Sequence, residues 1–341
     1  MAECKNGHVF VIAEIGSNHN QNIEQAFQLM DIAKQAGADA VKFQSLKLDE
    51  LIAETDIRKT DIELFQKIEL REEWYDKIFA YAQKINMECI STPTYLQALE
   101  LLKKYNVKHI KIASPQTYGF PELIKKTAQL KIDTIMSTGY CEEKEIKRAV
   151  NLFGTYGDLQ KLTLLHCTSQ YPTEPDDANL NFLKTLKNRY GTAVGYSDHT
   201  LGTAAPVAAV CLGASVIEKH LTLSRKMEGP DHYFALEPDD FKKMVSDIRE
   251  TEKLLGMPDK KLTDFEREFR ENIIMYPYSA RAMQQGEKLA ENDITYFRSR
   301  SKGISPWNVE QRLLGKALRK SVPANHQLKE TELAENERDH H

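Results

Sequence analysis

VFVIAEIGSNHNQNIEQAFQLMDIAKQAGADAVKFQS, residues Val9–Ser45, is the stretch of sequence that decides the fold. Its two ends, Val9–Gly16 and Asp39–Ser45, are short, mostly apolar runs that finish on polar residues, as buried strands do. Between them, Asn22–Ala38 has apolar residues at three- and four-residue spacing and ends near a glycine, which predicts an amphipathic helix. Near-continuous apolar strands that alternate with helices favour a parallel sheet covered by helices.

The same strand–helix pattern recurs along the chain. Six further strand-like runs are Glu88–Thr94, His109–Ser114, Asp133–Gly139, Leu162–Thr168, Thr192–Asp198 and Ser215–Leu221. Eight such units in about 255 residues match the size of a closed (β/α)8 TIM barrel. An open, doubly wound sheet is the alternative, because the number of strands alone cannot prove closure.

The length of 341 residues predicts about two domains, at roughly 150 residues per domain. We expect the barrel over residues 1–258 and a charged connector that contains a helix over residues 259–276. From residue 277 to 341 the segments are short and separated by turn signals such as QQGE and SKGISPW. This pattern of short segments and turns predicts a small, mostly β second domain.

Composition and charge exclude several classes of protein. The chain has 46 Lys and Arg against 50 Asp and Glu, a net charge of −4, so nucleic acid is not expected as the main partner. No apolar run approaches the roughly 20 residues of a membrane span, and the first residues do not resemble a signal peptide. The 5 cysteines lack CxxC spacing, which indicates neither a disulfide framework nor a cysteine zinc site. We expect a soluble, cytoplasmic protein.

The predicted strands end in polar residues, and the carboxyl ends of barrel strands carry the active site. His199 and His220 follow neighbouring strands, and adjacent strands lie about 4.8 Å apart, so both imidazoles could reach one divalent ion. Two imidazoles leave most of the coordination sphere open, which suits Lewis-acid chemistry. The alternative is that each is a core histidine with satisfied hydrogen bonds.

Two lysines, Lys42 and Lys111, stand in otherwise apolar strands, where an unpaired charge is expensive. If they face the barrel mouth, they form an anion pocket for phosphate or carboxylate with the hydroxyls of Ser114, Ser137 and Ser197. The alternative is internal pairing with Glu14 or Glu218. Cys167 should point away from His166, its neighbour on the strand, and we interpret it as a buried structural cysteine.

Several motifs in this order resemble the sialic acid synthase family. They are IAEIGSNHN (Ile12–Asn20), AGADAVKFQ (Ala36–Gln44), STP (Ser91–Pro93), KIAS (Lys111–Ser114), STG (Ser137–Gly139), LHCTSQYPT (Leu165–Thr173), GYSDHT (Gly195–Thr200), LGASVIEKH (Leu212–His220) and GPDHYFAL (Gly229–Leu236). QQGEKL, NDITYFRSR, KGISP and LLGKAL resemble the family's C-terminal antifreeze-like (SAF, β-clip) domain. The resemblance covers nearly the whole chain.

The resemblance implies a transferase that condenses phosphoenolpyruvate with an N-acetylated mannosamine-type sugar to form a nonulosonic acid and phosphate. It implies that His199 and His220 bind Mn²⁺, with Mg²⁺ or another divalent metal as the alternative. Residues expected to hold phosphoenolpyruvate are Lys42, Thr92, Lys111, Ser114, Ser137, Ser169 and Ser197. Glu218 is expected to bind substrate. Glu14, Tyr171 and Asp231 are expected to face the acceptor sugar and a water on the metal. Glu14, Lys42, Lys111 and Asp231 are the expected catalytic residues.

The resemblance also implies a domain-swapped homodimer in which an arginine of the C-terminal domain covers the partner's barrel mouth. Arg298 is the candidate because it stands four residues after Ile294, and Arg300 is the alternative. The chain departs from the family pattern at Thr94, Pro115 and Gln116, which leaves the acceptor sugar open. Alternative functions are a legionaminic or pseudaminic acid synthase acting on a 2,4-diacetamido-2,4,6-trideoxy hexose, a metal-dependent pyruvate aldolase, and an inactive sugar-binding relative.

Overall fold

The structure is a computed structural model that describes residues 8–334. The chain divides into two compact units, Met1–Gly256 and Met257–His341. Within residues 259–276, expected as a connector, lie a short helix and the first residues of a strand that begins at Met275. No helix within residues 8–334 is long and apolar enough to cross a bilayer.

The first unit contains eight parallel strands, one at each predicted position. They are β1 Phe10–Glu14, β2 Ala40–Ser45, β3 Glu88–Pro93, β4 His109–Ile112, β5 Asp133–Ser137, β6 Leu162–Cys167, β7 Ala193–Asp198 and β8 Val216–His220. The ladder runs β3-β2-β1-β8-β7-β6-β5-β4, and β3 and β4 at its two ends lie against each other. The sheet is therefore curled into a nearly closed barrel, and the predicted TIM-type fold is confirmed over the open alternative.

Helices follow the strands and cover the outside of the barrel. They are α1 Ile23–Ala36, α2 Leu48–Leu51, α3 Lys59–Ile68, α4 Glu72–Lys84, α5 Gln97–Lys104, α6 Ser114–Gly119, α7 Pro121–Gln129, α8 Glu143–Tyr156, α9 Phe182–Tyr190, α10 Ala204–Cys211 and α11 Pro238–Leu255. Helix α1 illustrates the local signals. The Asn22 side chain accepts hydrogen bonds from two backbone amides at the start, and Gly37 ends the helix at φ +86°.

Apolar side chains form two separate layers in this unit. The larger layer lies between the strands and the helices, where Val11, Val41, Ile112, Met136 and Ile217 are fully buried. The smaller layer fills the inside of the barrel and consists of Ile12, Ala40, Ile90, Ile135, Leu165 and Val216. Because successive strand residues point to opposite faces, neighbouring positions on one strand face different layers. The barrel interior is therefore a packed core.

The second unit is small and mainly extended. Strands β9 Met275–Ser279 and β10 Ile294–Arg298 pair antiparallel, and its short helices are α12 Asp264–Phe269 and α13 Val309–Arg312. Isolated bridges, such as Met283 with Val322, join the remaining extended segments. Its buried apolar cluster is Met283, Leu289, Ile304, Val309, Leu313, Leu318, Val322, Leu328 and Leu333.

A polar network fastens the last barrel helix to the start of the first strand. Arg249 on α11 donates one hydrogen bond to the Val9 carbonyl at 2.7 Å and contacts Asp39 Oδ2 at 2.8 Å and Glu252 Oε1 at 2.7 Å. The two carboxylates accept from the backbone amides of Val11 and Val9. Backbone groups at the start of β1 are thus satisfied by Arg249 and Glu252 from the last barrel helix and by Asp39, directly before β2.

We expect Arg249→Met to lower the free energy of unfolding of the barrel by about 1.5–3 kcal/mol, since charge-assisted hydrogen bonds to partly buried groups are lost. The measurement is urea unfolding followed by Trp74 fluorescence in a Trp307→Phe background. Arg148→Met is the matched control, because Arg148 makes only a 3.5 Å contact with Glu145 and its side chain is 75% exposed. Equal losses in both variants would contradict the assignment.

Candidate functional site

A layer of polar side chains lies directly above the apolar layer inside the barrel. Glu14, Lys42, Thr92, Ser137, Cys167 and Glu218 stand two residues after Ile12, Ala40, Ile90, Ile135, Leu165 and Val216 on the same strands. The two-residue period of a strand turns both sets toward the barrel interior. All of these polar side chains are buried.

Lys42 is held by three partners in this layer. Its Nζ lies 2.8 Å from Glu14 Oε2 and 3.7 Å from Glu218 Oε1, and it donates to Thr92 Oγ1 at 3.2 Å. Burial would lower the pKa of Lys42, but the neighbouring carboxylates outweigh it and raise this pKa. The lysine is therefore a fixed positive charge.

Lys111 reaches the same carboxylate from the other side. Its Nζ lies 3.6 Å from Glu218 Oε1 and donates to Ser137 Oγ at 2.8 Å, while Ser197 Oγ donates to Glu218 Oε1 at 3.1 Å. Burial lowers the pKa of Lys111. Burial alone would raise the pKa of Glu218, but Lys111 and Lys42 hold it well below its usual range.

These contacts bear on both expectations for the lysines, an anion pocket at the barrel mouth and internal pairing with glutamates. Lys42 and Lys111 do face the barrel interior with hydroxyl groups around them, but they are paired with Glu14 and Glu218. The pocket is thus a charge-balanced cluster: the lysines face the interior beside hydroxyl groups, as expected, and they also make the internal pairs that the alternative predicted. The physical reason is that a buried ammonium without a counter-charge costs several kcal/mol, by order of magnitude.

His199 and His220 come together above this cluster, with ring centroids 5.5 Å apart. His199 Nδ1 lies 2.9 Å from the Thr168 carbonyl, which can only accept, so Nδ1 carries the hydrogen and Nε2 keeps its lone pair. The Nδ1 atom of His220 is buried without a hydrogen-bond partner. Burial lowers the pKa of His220 to about 3, which keeps its imidazole in the neutral form that binds metals.

The two histidines could therefore supply two imidazole ligands to a divalent ion. Within residues 8–334, no group of three or more His, Cys, Asp and Glu side chains is arranged to hold a metal. A site with two imidazoles leaves the other coordination positions to water or substrate, which is typical of an open catalytic site. Cys167 points inward, as the alternation requires, and its Sγ lies 4.0 Å from His199 Nδ1.

The serines predicted for the anion pocket meet at Gly139. Its amide donates to Ser114 Oγ at 3.0 Å. A Cβ on residue 139 would lie 2.2 Å from Ser169 Oγ and 2.8 Å from Ser114 Oγ, so only glycine leaves room for both hydroxyls. The structure brings Ser114 and Ser169 together at the glycine that ends the STG motif, Ser137–Gly139.

A second group of contacts surrounds Gly16, where the chain leaves β1 at φ +50°. A Cβ there would lie 2.9 Å from Glu14 Oε1 and 3.1 Å from Asp231 Oδ2. Gln44 donates to Glu14 Oε1 at 2.7 Å, and Ser17 Oγ donates to Asp231 Oδ2 at 2.8 Å. Burial raises the pKa of Glu14, although Lys42 acts in the opposite direction.

Gln44 and Ser17 are site residues that the sequence reasoning missed. Gln44 ends a predicted strand and Ser17 lies in IAEIGSNHN, so the strand end and the motif were the available signals.

The remaining predicted residues lie at the edge of the site or in the second unit. The Tyr171 ring packs on His199 with centroids 4.2 Å apart and is partly exposed. Arg298 ends β10 in the second unit and is exposed, as is Arg300. Thr94 Oγ1 donates to the Ser45 carbonyl at 2.7 Å, and Oε1 of Gln116 is buried without a partner.

His19, in the loop after β1, is a buried neutral histidine that carries no assigned role. Its Nδ1 accepts from the Gln21 amide at 3.1 Å, and its ring packs edge-on against Trp74. Burial lowers the pKa of His19 to about 4. The loop that carries Ser17, the partner of Asp231, is thus anchored in the core by an imidazole that must stay unprotonated.

Comparisons with known proteins agree on one family. Residues 29–260 match the NeuB family. The N,N'-diacetyllegionaminic acid synthase of Legionella pneumophila is 35% identical over 92% of this chain and 92% of its own. A pseudaminic acid synthase of Campylobacter jejuni is 35% identical over 95% of this chain and 96% of its own. The structure of N-acetylneuraminic acid synthetase from Leptospira borgpetersenii superposes with a TM-score of 0.72 at 34% identity, over 77% of this chain and 90% of that one.

We expect His19→Phe to flatten the dependence of stability on pH. The unfolded state takes up the His19 proton near pH 6.5 and the folded state only near pH 4, so wild-type stability falls as pH drops through this window. Without this group, the slope between pH 4.5 and 6 should be smaller by about 1.4 kcal/mol per pH unit. Urea unfolding across pH 4.5–8 provides the measurement. Above pH 7 the two curves should be parallel, and equal slopes throughout would refute the assignment.

Proposed function

Because this chain belongs to the NeuB family, we propose that it condenses phosphoenolpyruvate with an N-acetylmannosamine-type aldose to form a nonulosonic acid and phosphate. Its relatives are nonulosonic acid synthases, so the chain is an enzyme. One observation carries the proposal. Two buried lysines and several hydroxyl groups converge beneath a pair of histidines at the carboxyl ends of the barrel strands.

The cluster can receive the two anionic groups of phosphoenolpyruvate. An ammonium has three donors, and the 3.6 and 3.7 Å separations from Glu218 exceed a direct hydrogen bond. Lys42 and Lys111 therefore keep donor capacity for substrate oxygens, and the carboxylates hold the charge of Lys42 in place. Hydroxyl donors from Ser114, Ser137 and Ser169 would hold the phosphate as it departs.

Two carboxyl groups at Gly16 suit the proton transfers. C3 of phosphoenolpyruvate attacks the aldehyde carbon, water adds at C2, and the C2–O bond breaks to release phosphate. The water loses two protons in all: one balances the proton that the aldehyde oxygen gains, and the other leaves with the phosphate as the C2 carbonyl forms. Glu14, whose pKa is raised by burial, can hold a proton next to Asp231, so this pair can give and take protons on the acceptor side.

We assign His199 and His220 as the ligands of Mn²⁺, or of Mg²⁺ or another divalent ion. The lone pair on His199 Nε2 and the unpartnered Nδ1 of the buried His220 support this assignment. When bound, such an ion polarises the aldehyde oxygen of the acceptor. Tyr171, packed on His199, would border the acceptor sugar.

A second acceptor is a 2,4-diacetamido-2,4,6-trideoxy hexose. It is favoured because relatives named N,N'-diacetyllegionaminic acid synthase and pseudaminic acid synthase are each 35% identical to this chain, in alignments that cover 92% and 95% of it. Both acceptors present an aldehyde to the same chemistry and differ in substituents at C4 and C6. These would meet residues that follow the strand ends, among them Thr94 after β3 and Gln116 in α6, at which the chain departs from the family pattern.

We expect release of phosphate from phosphoenolpyruvate to require an amino sugar from a panel of N-acetylmannosamine, its 6-phosphate and 2,4-diacetamido-6-deoxy hexoses. Chelation should abolish release and Mn²⁺ should restore it, while the productive sugar identifies the acceptor. His199→Ala, His220→Ala, Lys42→Met and Lys111→Met should each lower kcat/KM by at least about 100-fold, since each removes charge stabilisation from the transition state.

Lys34→Met is the control. The Lys34 ammonium donates a hydrogen bond to the Asn86 carbonyl at the barrel surface, so its loss should leave the rate unchanged. Calorimetry separates the roles further. The lysine variants should lose binding of phosphoenolpyruvate, whereas the histidine variants should keep most of it. Amino-sugar-independent release, or full activity in metal-free protein, would contradict the proposal.

We further propose a homodimer in which the C-terminal unit, similar to SAF domains, brings Arg298 to the partner's barrel mouth, with Arg300 as the alternative. Next to Arg298, β10 exposes the large side chains of Tyr296 and Phe297, 41% and 43% accessible. Exposed aromatic residues beside an arginine are typical of a surface that docks. A unit of this size also gains stability by docking.

Mixing Arg298→Ala with His220→Ala tests this arrangement. In a mixed dimer, one barrel keeps His220 and receives an intact Arg298 from the other chain, so activity should return to at most about half of the mixed dimers' sites. Initial rates after proven subunit exchange give the measurement. A mixture of His199→Ala and His220→Ala, both barrel lesions, should stay inactive. No recovery in the first mixture would mean that Arg298 serves its own barrel or none.

A further inference from the structure

A buried ion pair lies behind the two histidines, on the outer face of the barrel strands. Lys219 Nζ is 2.5 Å from Asp198 Oδ2, and their side chains are 1% and 0% exposed. By the alternation of strand residues they point away from the barrel interior, so neither belongs to the site described above. Taking two charges out of water is costly, and apolar residues would fill this layer at lower cost.

The hydrogen bonds of this pair end on the backbone that flanks His199. Asp198 Oδ1 accepts from the Thr200 amide at 2.8 Å, and Lys219 Nζ also donates to the Thr200 carbonyl. One ammonium therefore binds the residue before His199 and the residue after it. Lys219 itself directly precedes His220 in the chain.

Backbone pairing does not join the two histidines to each other. The ladder between β7 and β8 ends at the pair Asp198–Lys219, one residue before either histidine. Beyond it, the His199 carbonyl accepts from the Thr173 amide, on the β6 side, and His220 pairs with Glu14 on β1. The backbone of His199 therefore pairs toward β6, and that of His220 pairs with β1. The Asp198–Lys219 ion pair joins β7 to β8 directly before the two histidines.

We propose that Asp198 and Lys219 are positioning residues that fix the relative placement of His199 and His220 for a divalent cation. This inference rests on the proposed function, because that function assigns the histidines as metal ligands. Groups that orient metal ligands from outside the coordination sphere typically contribute 10–100-fold, by order of magnitude, to metal affinity. Here the orientation acts through the backbone.

The test is Mn²⁺ binding, measured by the electron paramagnetic resonance signal of the free ion during titration of the full chain. Lys219→Met and Asp198→Asn should each weaken binding by about 10–100-fold. In pulsed experiments on the bound ion, the nitrogen couplings of two imidazoles should fall toward those of one. Arg249→Met is the matched control, because it breaks an ion pair at the other end of the barrel and should leave Mn²⁺ affinity unchanged.

The double variant Asp198→Asn/Lys219→Met separates positioning from stability. It leaves no unpaired buried charge, so it should unfold at a higher urea concentration than Lys219→Met, yet its Mn²⁺ affinity should stay low. Wild-type affinity in the folded double variant, or in folded Asp198→Asn, overturns the inference while the metal site stands. If wild-type protein binds no Mn²⁺, or His199→Ala and His220→Ala bind it equally well, the proposed metal site itself is wrong.

Discussion

Four charged side chains buried at one end of the barrel, Glu14, Lys42, Lys111 and Glu218, hold one another in place, and the rest of the site is arranged around them. None could remain charged there alone, because an isolated ion in a barrel interior is costly to desolvate. Each is placed by the same rule of alternation that fills the layer beneath with apolar side chains. The fold thereby stabilises a polar layer directly on a packed core.

This balance has a chemical consequence. The ammonium groups are fixed by carboxylates and hydroxyls, so little reorganisation is needed when an anionic substrate arrives. The two glutamates differ in environment. The pKa of Glu218 is held low by two lysines, whereas burial raises the pKa of Glu14. One carboxylate therefore serves as a permanent counter-charge and the other can exchange a proton, a division of roles that the neighbouring side chains impose.

The sequence predicted the architecture well because barrel strands carry a strong local signal. All eight strands lie where short apolar runs end in polar residues, and His199 and His220 do follow adjacent strands. The partners of the buried charges could not be predicted in the same way. Whether Lys42 faces an open pocket or Glu14 depends on side-chain distances across strands. Gly139 matters only because Ser114 and Ser169 approach it from other parts of the chain. Such contacts join residues far apart in sequence, which no local pattern encodes.

In the proposed reaction, phosphoenolpyruvate loses its phosphate by breakage of the C2–O bond, after water has added at C2. Phosphoenolpyruvate that carries ¹⁸O in the bridging position tests this most directly, with the released phosphate observed by ³¹P NMR in the presence of the acceptor sugar. The account predicts that the phosphate carries the label, seen as the isotope shift of its resonance. Unlabelled phosphate, with the ¹⁸O retained on the nine-carbon product, would mean that the P–O bond breaks instead and would contradict the chemistry assigned to this site.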